Sequence, residues 1–432
     1  MRKIFKHSVA IFLALIMLIG VVPIMASAED ATHQTGDLIQ FGYYPQSKVR
    51  DQSTIDRLDA MTKKWVSYDY YSGTGNREDC NMVPSDFMQY ADINDHGIKY
   101  RAVKFTKYRP KFTGGFAGTS EDNSFQDDGA YYINRVNYFK YEPLYWKVLD
   151  ASTGLVVCDT IIDSQPYKNF ICEIDGQIYG EKAKTIFASN WEHSSLREWL
   201  NDDFFNTAFI TTAMKNSIQT LTRENESTIS GKLFACNPTT DKITLLTYWD
   251  VSNSDYGFDS NESRQKKYTD YAVCQGFDTS ASGSSWWLRT SGFSSRAAIV
   301  ASNGVRDDYN GRVDETYRGV VPAMNLVSLD KFSRMSVSVE GAKLDYKGSK
   351  TLAPEITTID NSSYTVSYSS DSPSVTVDEN GKVYGAKTGS ANITVTVTDQ
   401  KGHSVSDTCK VDVEYTWWQW IIRIVLFGWI WY

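Results

Sequence analysis

The chain has 432 residues, of which 41% are hydrophobic, 22% charged and 14% aromatic, and its formal net charge is −8. This composition is typical of globular domains and excludes a collagen-like, disordered or multi-span membrane protein. The negative charge argues against a nucleic-acid partner, because phosphates are bound by Lys and Arg. Five His and six Cys leave little material for a metal or haem site, so we expect no cofactor and no metal. The length allows two or three domains.

Residues 1–28 have the features of a secretory signal peptide. Three basic residues within the first six precede an apolar stretch from Val9 to Met25, and Ala26-Ser27-Ala28 is a small-residue cleavage site. Cleavage removes three positive and no negative side chains. We therefore expect an acidic, secreted mature protein.

Residues 29–331 are predicted to form one large domain. Its clearest helix is Ser194–Ile218, where Ser195 and Glu198 match a capping box and a break is expected near Asn201–Asp203. Alternating or apolar runs predict strands. These are Lys99–Phe105, Gly129–Asn134, Leu144–Val148, Gly154–Cys158 and Ile243–Leu246.

The last part of this domain predicts a strand, a hairpin and a closing strand. Ser284–Gly292 is the first strand, and Gly319–Leu326 is the last. Between them, Asn303-Gly304 predicts a type I′ hairpin turn, and Asn310-Gly311 predicts a further turn.

These elements resemble a family of secreted bacterial domains, domain-of-unknown-function family 6273. The resemblance is carried by Trp286-Trp287-Leu288-Arg289-Thr290, by Asn303-Gly304 and by Gly319–Ala323. GDLIQFGYYPQ, YEPLYWKVLD and SLREWLNDDF extend it over residues 36–327. Val321 departs from the family pattern, which has Arg in the closing strand.

The family is distantly similar to the C-type-lectin-like fold of formylglycine-generating enzymes and of variable ligand-binding proteins. The resemblance therefore implies an α+β C-type-lectin-like domain. Formylglycine generation needs a pair of cysteines in the terminal core. Since no Cys lies between Trp286 and Leu326, that activity is not expected.

The segment Ser294–Arg318 is the predicted ligand-binding surface, because Arg and Tyr combine stacking area with hydrogen bonding. The residues proposed to contact ligand are Arg296, Arg306, Asp307, Asp308, Tyr309, Asn310, Arg312 and Tyr317. The alternative is a salt-bridged, solvated face. Trp286, Trp287 and Arg289 are predicted to be structural, with Arg289 paired to a carboxylate.

Enzymatic signatures are missing from the sequence, and no catalytic residue is assigned. No zinc-protease, nucleophile-elbow, phosphate-loop or dinucleotide motif occurs in a fitting context. Acidic pairs leave open an extracellular carbohydrate-active hydrolase. The candidate pairs are Asp202-Asp203, Asp307-Asp308 and Asp314-Glu315. The cysteines form no C-x-x-C motif, and at most two disulfides are expected in the large domain.

Residues 333–415 predict an all-β sandwich. The predicted strands are Ser336–Glu340, Tyr364–Ser369, Ser374–Asp378, Ala391–Asp399 and Thr408–Val413. The stretch Tyr368–Asp399 resembles a bacterial immunoglobulin-like domain of group 2. That resemblance implies a surface-protein module, which we expect to be a spacer.

Residues 416–432 form a hydrophobic tail that contains five of the 12 Trp. Aromatic residues flank the aliphatic stretch Ile421–Phe427, as in the aromatic belts of membrane interfaces. We expect membrane contact through Trp417, Trp418, Trp420, Trp429 and Trp431. Helical spacing would place Thr416, Gln419 and Arg423 on one face.

The sequence thus predicts a secreted binding or adhesion protein of the cell envelope. Its ligand is expected to be an extracellular glycan or protein. The alternatives are a carbohydrate-active hydrolase and a structural surface protein.

Overall fold

The computed structural model describes the chain from residue 33 to residue 425 with internal gaps. The described ranges are 33–68, 88–95, 97–106, 126, 130–169, 171, 173–175, 185–229, 234, 236–280, 284–329, 332, 335–358, 363–400 and 404–425. The predicted signal peptide lies outside them. Residues from Gln34 onward form one compact unit.

Strands dominate the large domain. In chain order they are β1 (Leu38–Lys48), β2 (Val66–Tyr68), β3 (Met88–Asp95), β4 (Ile98–Phe105), β5 (Val136–Asp150), β6 (Leu155–Cys158), β7 (Thr160–Ile161), β8 (Asp163–Ser164), β9 (Ile174–Asp175), β10 (Thr185–Ile186), β11 (Leu221–Asn225), β12 (Cys236–Asp241), β13 (Ile243–Thr244), β14 (Lys267–Tyr268), β15 (Trp286–Phe293), β16 (Arg296–Val300), β17 (Arg306–Arg312), β18 (Gly319–Val320) and β19 (Ala323–Asn325).

Helices in this domain are short. They are α1 (Gln52–Ala60), α2 (Ser195–Trp199), α3 (Phe205–Ala208), α4 (Thr212–Asn216) and α5 (Asp270–Cys274), with a π-helical turn at Leu200–Phe204 and 3₁₀ turns at Asp250–Ser252, Ser254–Tyr256 and Glu262–Arg264.

The predicted helix Ser194–Ile218 is divided, and the division lies later than expected. Ser194, rather than Ser195, is the N-cap, and its hydroxyl accepts a hydrogen bond from the Arg197 N–H. The π-helical turn carries the helix through residues 201–203, because Leu200 and Phe204 are both buried there. The chain leaves the helix at Phe209 and starts again at α4.

Strand β5 organises the main sheet. Strand β1 pairs along one edge of β5, whereas β4 and β6 pair with opposite ends of the other edge. The prediction of a strand at Gly129–Asn134 is wrong. Ala130 and Asn134 have positive φ, which ends regular strand geometry before β5 begins.

A second sheet, in the order β17-β16-β15-β18-β8, contains the Trp-Trp strand and the hairpin. The close packing of its strands explains why residue 311 is a glycine. A Cβ at this position would lie 2.2 Å from the carbonyl oxygen of Ala297 and 2.8 Å from Cζ3 of Trp287. Gly311 is therefore a strand residue and not the predicted turn, because only glycine lets the two strands approach so closely.

The C-terminal module is a β-sandwich. Its strands are β20 (Met335–Ser338), β21 (Ala342–Asp345), β22 (Ser349–Thr351), β23 (Glu355–Thr358), β24 (Tyr364–Ser370), β25 (Val375–Val377), β26 (Lys382–Gly385), β27 (Gly389–Asp399) and β28 (Ser404–Glu414). The predicted alternation in β27 is confirmed, since Ile393, Val395 and Val397 are buried between half-buried threonines. Strand β28 lies in the four-stranded sheet β21-β28-β27-β24.

The module contacts the large domain directly through β28. Lys140 Nζ donates a hydrogen bond to the carbonyl oxygen of Thr408 (2.8 Å), and Lys410 Nζ donates to Thr54 Oγ1 (3.1 Å). Gln40 Nε2 also donates to the carbonyl oxygen of Ser406 (3.2 Å). These contacts fix the sandwich against the large domain.

The tail begins as helix α6 (Trp417–Val425). Thr416 and Gln419 form a reciprocal capping box: the Thr416 N–H donates to Gln419 Oε1 (2.9 Å), and the Gln419 N–H donates to Thr416 Oγ1 (3.4 Å). Among the described residues, no helix is long and apolar enough to cross a membrane. Residues 426–432, with Trp429 and Trp431, lie outside the described part of the chain.

Candidate ligand-binding site

The hairpin β16-β17 presents the predicted binding segment, although its turn differs from the expected type. The Ala301 N–H donates to the carbonyl oxygen of Val305, and the Gly304 N–H donates to that of Ala301, both at 2.8 Å. Only Gly304 of the Asn-Gly pair has positive φ (79°). A type I′ turn needs positive φ at both residues, so this is a three-residue loop that ends in a left-handed glycine.

A bulge in β17 holds three of the predicted residues. Ala297 pairs with Gly311 and Ile299 pairs with Asp307, so residues 308–310 project from the strand. The Asp307 carboxylate accepts hydrogen bonds from the N–H groups of Tyr309 (2.8 Å) and Asn310 (2.9 Å). Burial acts to raise the pKa of Asp307, but hydrogen bonds from Asn310 and Tyr309 outweigh it and lower that pKa. Asp307 and Asn310 therefore shape the bulge.

Three further predicted residues are engaged within the fold. Arg306 lies over the ring of Tyr248, 4.7 Å from its centroid, and donates to Ser252 Oγ. Arg312 forms a salt bridge with the buried Asp314 (2.7 Å). The guanidinium of Arg318 lies 5.4 Å from the ring centroid of Tyr317. These contacts support a structural role for this part of the segment.

Tyr309 lies at the exposed end of an aromatic row, which is formed by Phe187, Phe234, Phe293 and Tyr309. Their ring centroids are 5.0 Å apart for Phe187 and Phe234, 5.1 Å for Phe234 and Phe293, and 6.3 Å for Phe293 and Tyr309. The outer pair is exposed, Phe293 to 43% and Tyr309 to 58%. Arg296 lies 5.1 Å from the Tyr309 centroid.

Asp308 also remains available at the bulge. It is half-buried, and its carboxylate makes no hydrogen bond or salt bridge with any residue in the described ranges. Thus Tyr309 and Asn310 are the exposed predicted residues of the hairpin, Asp308 is unpaired among the described residues, and Arg296 is half-buried beside Tyr309. Sequence reasoning missed Phe187, Phe234 and Phe293, because they are distant in sequence and meet only through the fold.

Trp286 and Trp287 are buried in β15. Their indole N–H groups donate to the carbonyl oxygens of Arg264 (3.2 Å) and Gln165 (2.8 Å). Each indole thus satisfies its one donor inside the core.

The prediction that Arg289 pairs with a carboxylate is wrong within the described part of the chain. Its guanidinium donates one hydrogen bond, to Asn225 Oδ1 (3.3 Å), and its buried Nε has no partner. Nearby Asp241 is already bound to Arg197, with 2.8 Å between Asp241 Oδ1 and Arg197 Nε. Arg289 instead lines a cavity of about 460 Å³ that the sequence does not reveal.

A glycoside hydrolase needs two carboxylates in its active site. Among the lining residues described for this cavity, Asp250 is the single acidic residue. Burial raises the pKa of Asp314 to about 6. Asp314 is nevertheless fully buried beside Arg312. Burial also raises the pKa of Asp203, but Asp203 does not line the cavity. The lining residues described for this cavity therefore offer the hydrolase alternative no pair of carboxylates.

The cysteines in the described ranges are all buried free thiols: Cys158, Cys236, Cys274 and Cys409. Cys80 and Cys172 lie outside those ranges. The described residues contain no cluster of three or more His, Cys, Asp or Glu that would hold a metal ion.

Comparison with protein families gives two matches. Residues 168–328 match the family described as a domain of unknown function (DUF6273), and residues 332–408 match the bacterial Ig-like domain (group 2). The first match begins at residue 168, whereas sequence analysis extended the resemblance back to residue 36. No curated protein matches the chain. The chain therefore combines a DUF6273 region with a group 2 bacterial Ig-like domain, in the order that its sequence predicts.

Proposed function

We propose that this protein is a secreted, cell-envelope-associated binding protein whose large domain recognises an extracellular glycan through the aromatic row. The observation that carries the proposal is the exposed pair Phe293 and Tyr309 beside Arg296. Exposed aromatic rings suit the apolar faces of sugar rings, and a guanidinium supplies hydrogen bonds to hydroxyl groups.

Rigidity of the scaffold supports this proposal. The hairpin is closed by paired strands, and the bulge that carries Tyr309 is fixed by hydrogen bonds to Asp307. The inner rings of the row, Phe187 and Phe234, pack behind Phe293. Little conformational entropy would be lost when a ligand contacts rings that are already held in place.

The position on the envelope is proposed from the Ig-like domain and the tail. Group 2 Ig-like domains are often found in extracellular, surface-associated proteins. Trp417 is 75% exposed and Ile424 is 67% exposed on α6, which suits contact with the interfacial region of a membrane. The fold proposed for the large domain is C-type-lectin-like, with strands predominating and short helices between them.

The test is a glycan-array screen of the chain without residues 1–28, compared with its Tyr309→Ala variant. Tyr364→Ala is the matched control, because Tyr364 is an exposed tyrosine of the Ig-like domain. We expect binding to a defined set of glycans, weakened about tenfold in Tyr309→Ala and unchanged in Tyr364→Ala. Unchanged binding in Tyr309→Ala would show that the aromatic row is not the glycan-binding site. No glycan binding, with binding to an extracellular protein instead, would show that the ligand is not a glycan.

A further inference from the structure

The cavity beside Arg289 is separate from the aromatic row and shares no residue with it. Its polar lining includes Arg223, Asp250, Tyr256, Arg289 and Asn325, and its volume is about 460 Å³. Cavities of roughly 300–1,000 Å³ with a few converging polar groups are typical of small-molecule sites. The apolar part of the wall is formed by Leu155, Leu221, Leu245 and Leu246.

Two guanidinium groups in this cavity lack a carboxylate partner among the described residues. Arg289 donates only to Asn225 Oδ1 (3.3 Å), and its Nε is buried without a partner. Arg223 donates to Asn325 Oδ1 (2.7 Å) and, at longer distances, to the carbonyl oxygens of Leu221 (3.5 Å) and Asp241 (3.4 Å). Both arginines therefore keep donor capacity for a ligand.

The nearby acids, Asp241 and Asp250, neutralise them only in part. Both carboxylate oxygens of Asp241 accept from Arg197 Nε, at 2.8 and 3.0 Å. Asp250 Oδ2 accepts from the N–H of Thr247 (2.7 Å). Two guanidinium groups against the one carboxylate of Asp250 leave a single excess positive charge, which one carboxylate of a ligand would balance.

The electrostatic environment agrees with this geometry. Burial, followed by the charge of Arg289, lowers the pKa of Arg223 to about 10. Burial also lowers the pKa of Arg289. Two buried cations that share one counter-ion are unfavourable, and a bound anion relieves both effects.

We propose that this cavity binds the carboxylate of a small molecule, held by Arg223 and Arg289. Planar guanidinium groups match the two oxygens of a carboxylate. Tyr256 lines the same cavity, and its hydroxyl makes no hydrogen bond with any described residue, so it is a further donor for the ligand. The site goes beyond the proposed function, which rests on the aromatic row.

The test measures binding to the chain without residues 1–28 by calorimetric titration and saturation-transfer NMR. The probes are glucuronate and N-acetylalanine, each paired with a neutral counterpart, glucose and N-acetylalaninamide. These two carboxylates distinguish a sugar acid from the carboxyl end of a peptide. Binding of either probe at least tenfold tighter than its neutral counterpart supports the proposal, and equal or undetectable binding of both overturns it.

Variants place the binding in the cavity. Arg289→Gln and Arg223→Gln should each lower the affinity for the carboxylate probe at least tenfold. Arg289→Lys should keep only part of the wild-type affinity, because an ammonium lacks the planar pair of donors of a guanidinium. Arg135→Gln, at an exposed arginine that belongs to neither site, is the matched control and should bind normally. Unchanged affinity in Arg289→Gln would place the carboxylate elsewhere and overturn the proposal.

Thermal unfolding separates ligand binding from a structural role. Without ligand, Arg289→Gln should unfold at or above the wild-type Tm, because it removes a buried charge that has no carboxylate partner. The probe should raise Tm in the wild type and leave it unchanged in the variant. A lower Tm in the unliganded variant, with the probe's effect retained, would show a structural arginine. Failure of these tests leaves the glycan-array test of the aromatic row unaffected.

Discussion

Gln419 Nε2 donates a hydrogen bond to the carbonyl oxygen of Tyr346, 3.2 Å away, and thereby turns the polar face of α6 toward the Ig-like domain. Arg423 follows on the same face and donates to the hydroxyl of Tyr415 (2.7 Å). As a consequence, the described apolar side chains of α6, apart from the half-buried Ile422, face outward. Trp417, Trp418, Trp420, Ile421 and Ile424 are all exposed.

The exposed face of α6 predicts binding to lipid vesicles. Trp420→Ala combined with Ile424→Ala should lower the partition coefficient into vesicles about a hundredfold or more, because each side chain buried in lipid contributes roughly 1.5–3 kcal/mol and about 1.4 kcal/mol is a factor of ten. Truncation after Tyr415 should abolish it. The measurement is the fraction of protein that sediments with vesicles of neutral and of anionic lipid.

A matched substitution controls for the loss of any exposed tryptophan. Trp249 is 42% exposed on the large domain, so Trp249→Ala should sediment like the wild type. Equal sedimentation of the full-length and truncated proteins would show that the tail does not contact the membrane.

Docking of α6 depends on Gln419, which caps the helix and reaches Tyr346. Gln419→Ala should free the helix locally at a cost of about 1 kcal/mol, the usual size of a capping interaction. Amide hydrogen exchange should become faster in residues 417–425 while the global Tm stays unchanged. Unchanged exchange in this helix would mean that the capping box does not hold it.

The close approach at Gly311 predicts a strongly destabilising substitution. Gly311→Ala would place a Cβ 2.2 Å from the carbonyl oxygen of Ala297, and such overpacking costs about 1–3 kcal/mol or more. Gly97→Ala is the comparison, since nothing lies within 4 Å of its added Cβ. Its only cost is the backbone strain of an alanine at a positive φ of 85°. Chemical denaturation should show the larger loss for Gly311→Ala, and equal losses would contradict the packing of β16 on β17.

Acid should weaken the large domain through Asp92. Arg101 is buried, and its Nε lies 2.8 Å from Asp92 Oδ1. Burial acts to raise the pKa of Asp92, but Arg101 outweighs it and lowers the pKa to about 2. Because the folded-state pKa is depressed, the stabilisation of about 2 kcal/mol is present above pH ~4 and is lost as the pH falls toward 2.

Denaturation midpoints between pH 2 and 5 check this expectation. Asp92→Asn should be less stable at pH 7, because it leaves Arg101 buried without its full charge partner, and should lose less stability on acidification. Asp56→Asn is the control, since Asp56 is exposed on α1. The same acid-induced loss in wild type and Asp92→Asn would assign the effect to other carboxylates.

The local pattern of apolar and polar residues was sufficient to predict some of the strands. The alternation of Ile393, Val395 and Val397 with threonine predicted β27, because one face of that strand is buried and the other is not. The Trp286–Trp287 strand was also predicted, although it begins two residues later than expected. The matches to both families agree with the resemblances drawn from these motifs.

Features that depend on contacts distant in sequence were not predicted. Gly311 looks like a turn residue, and only the approach of Ala297 and Trp287 places it in a strand. The position of Arg289 after Trp286 and Trp287 predicts a carboxylate partner, but the nearby Asp241 is bound to Arg197. The aromatic row brings Phe187 next to Phe234, and Phe234 next to Phe293, from three separate segments.

The central claim, that the large domain binds a glycan through the aromatic row, is tested most directly by a dissociation constant. The Kd for the strongest glycan of the array should be measured for the wild type, Phe293→Ala, Tyr309→Ala and the double variant. We predict that each single variant binds about tenfold more weakly, equivalent to about 1.4 kcal/mol, and the double variant weaker still. A double variant that binds with the wild-type Kd would contradict the account.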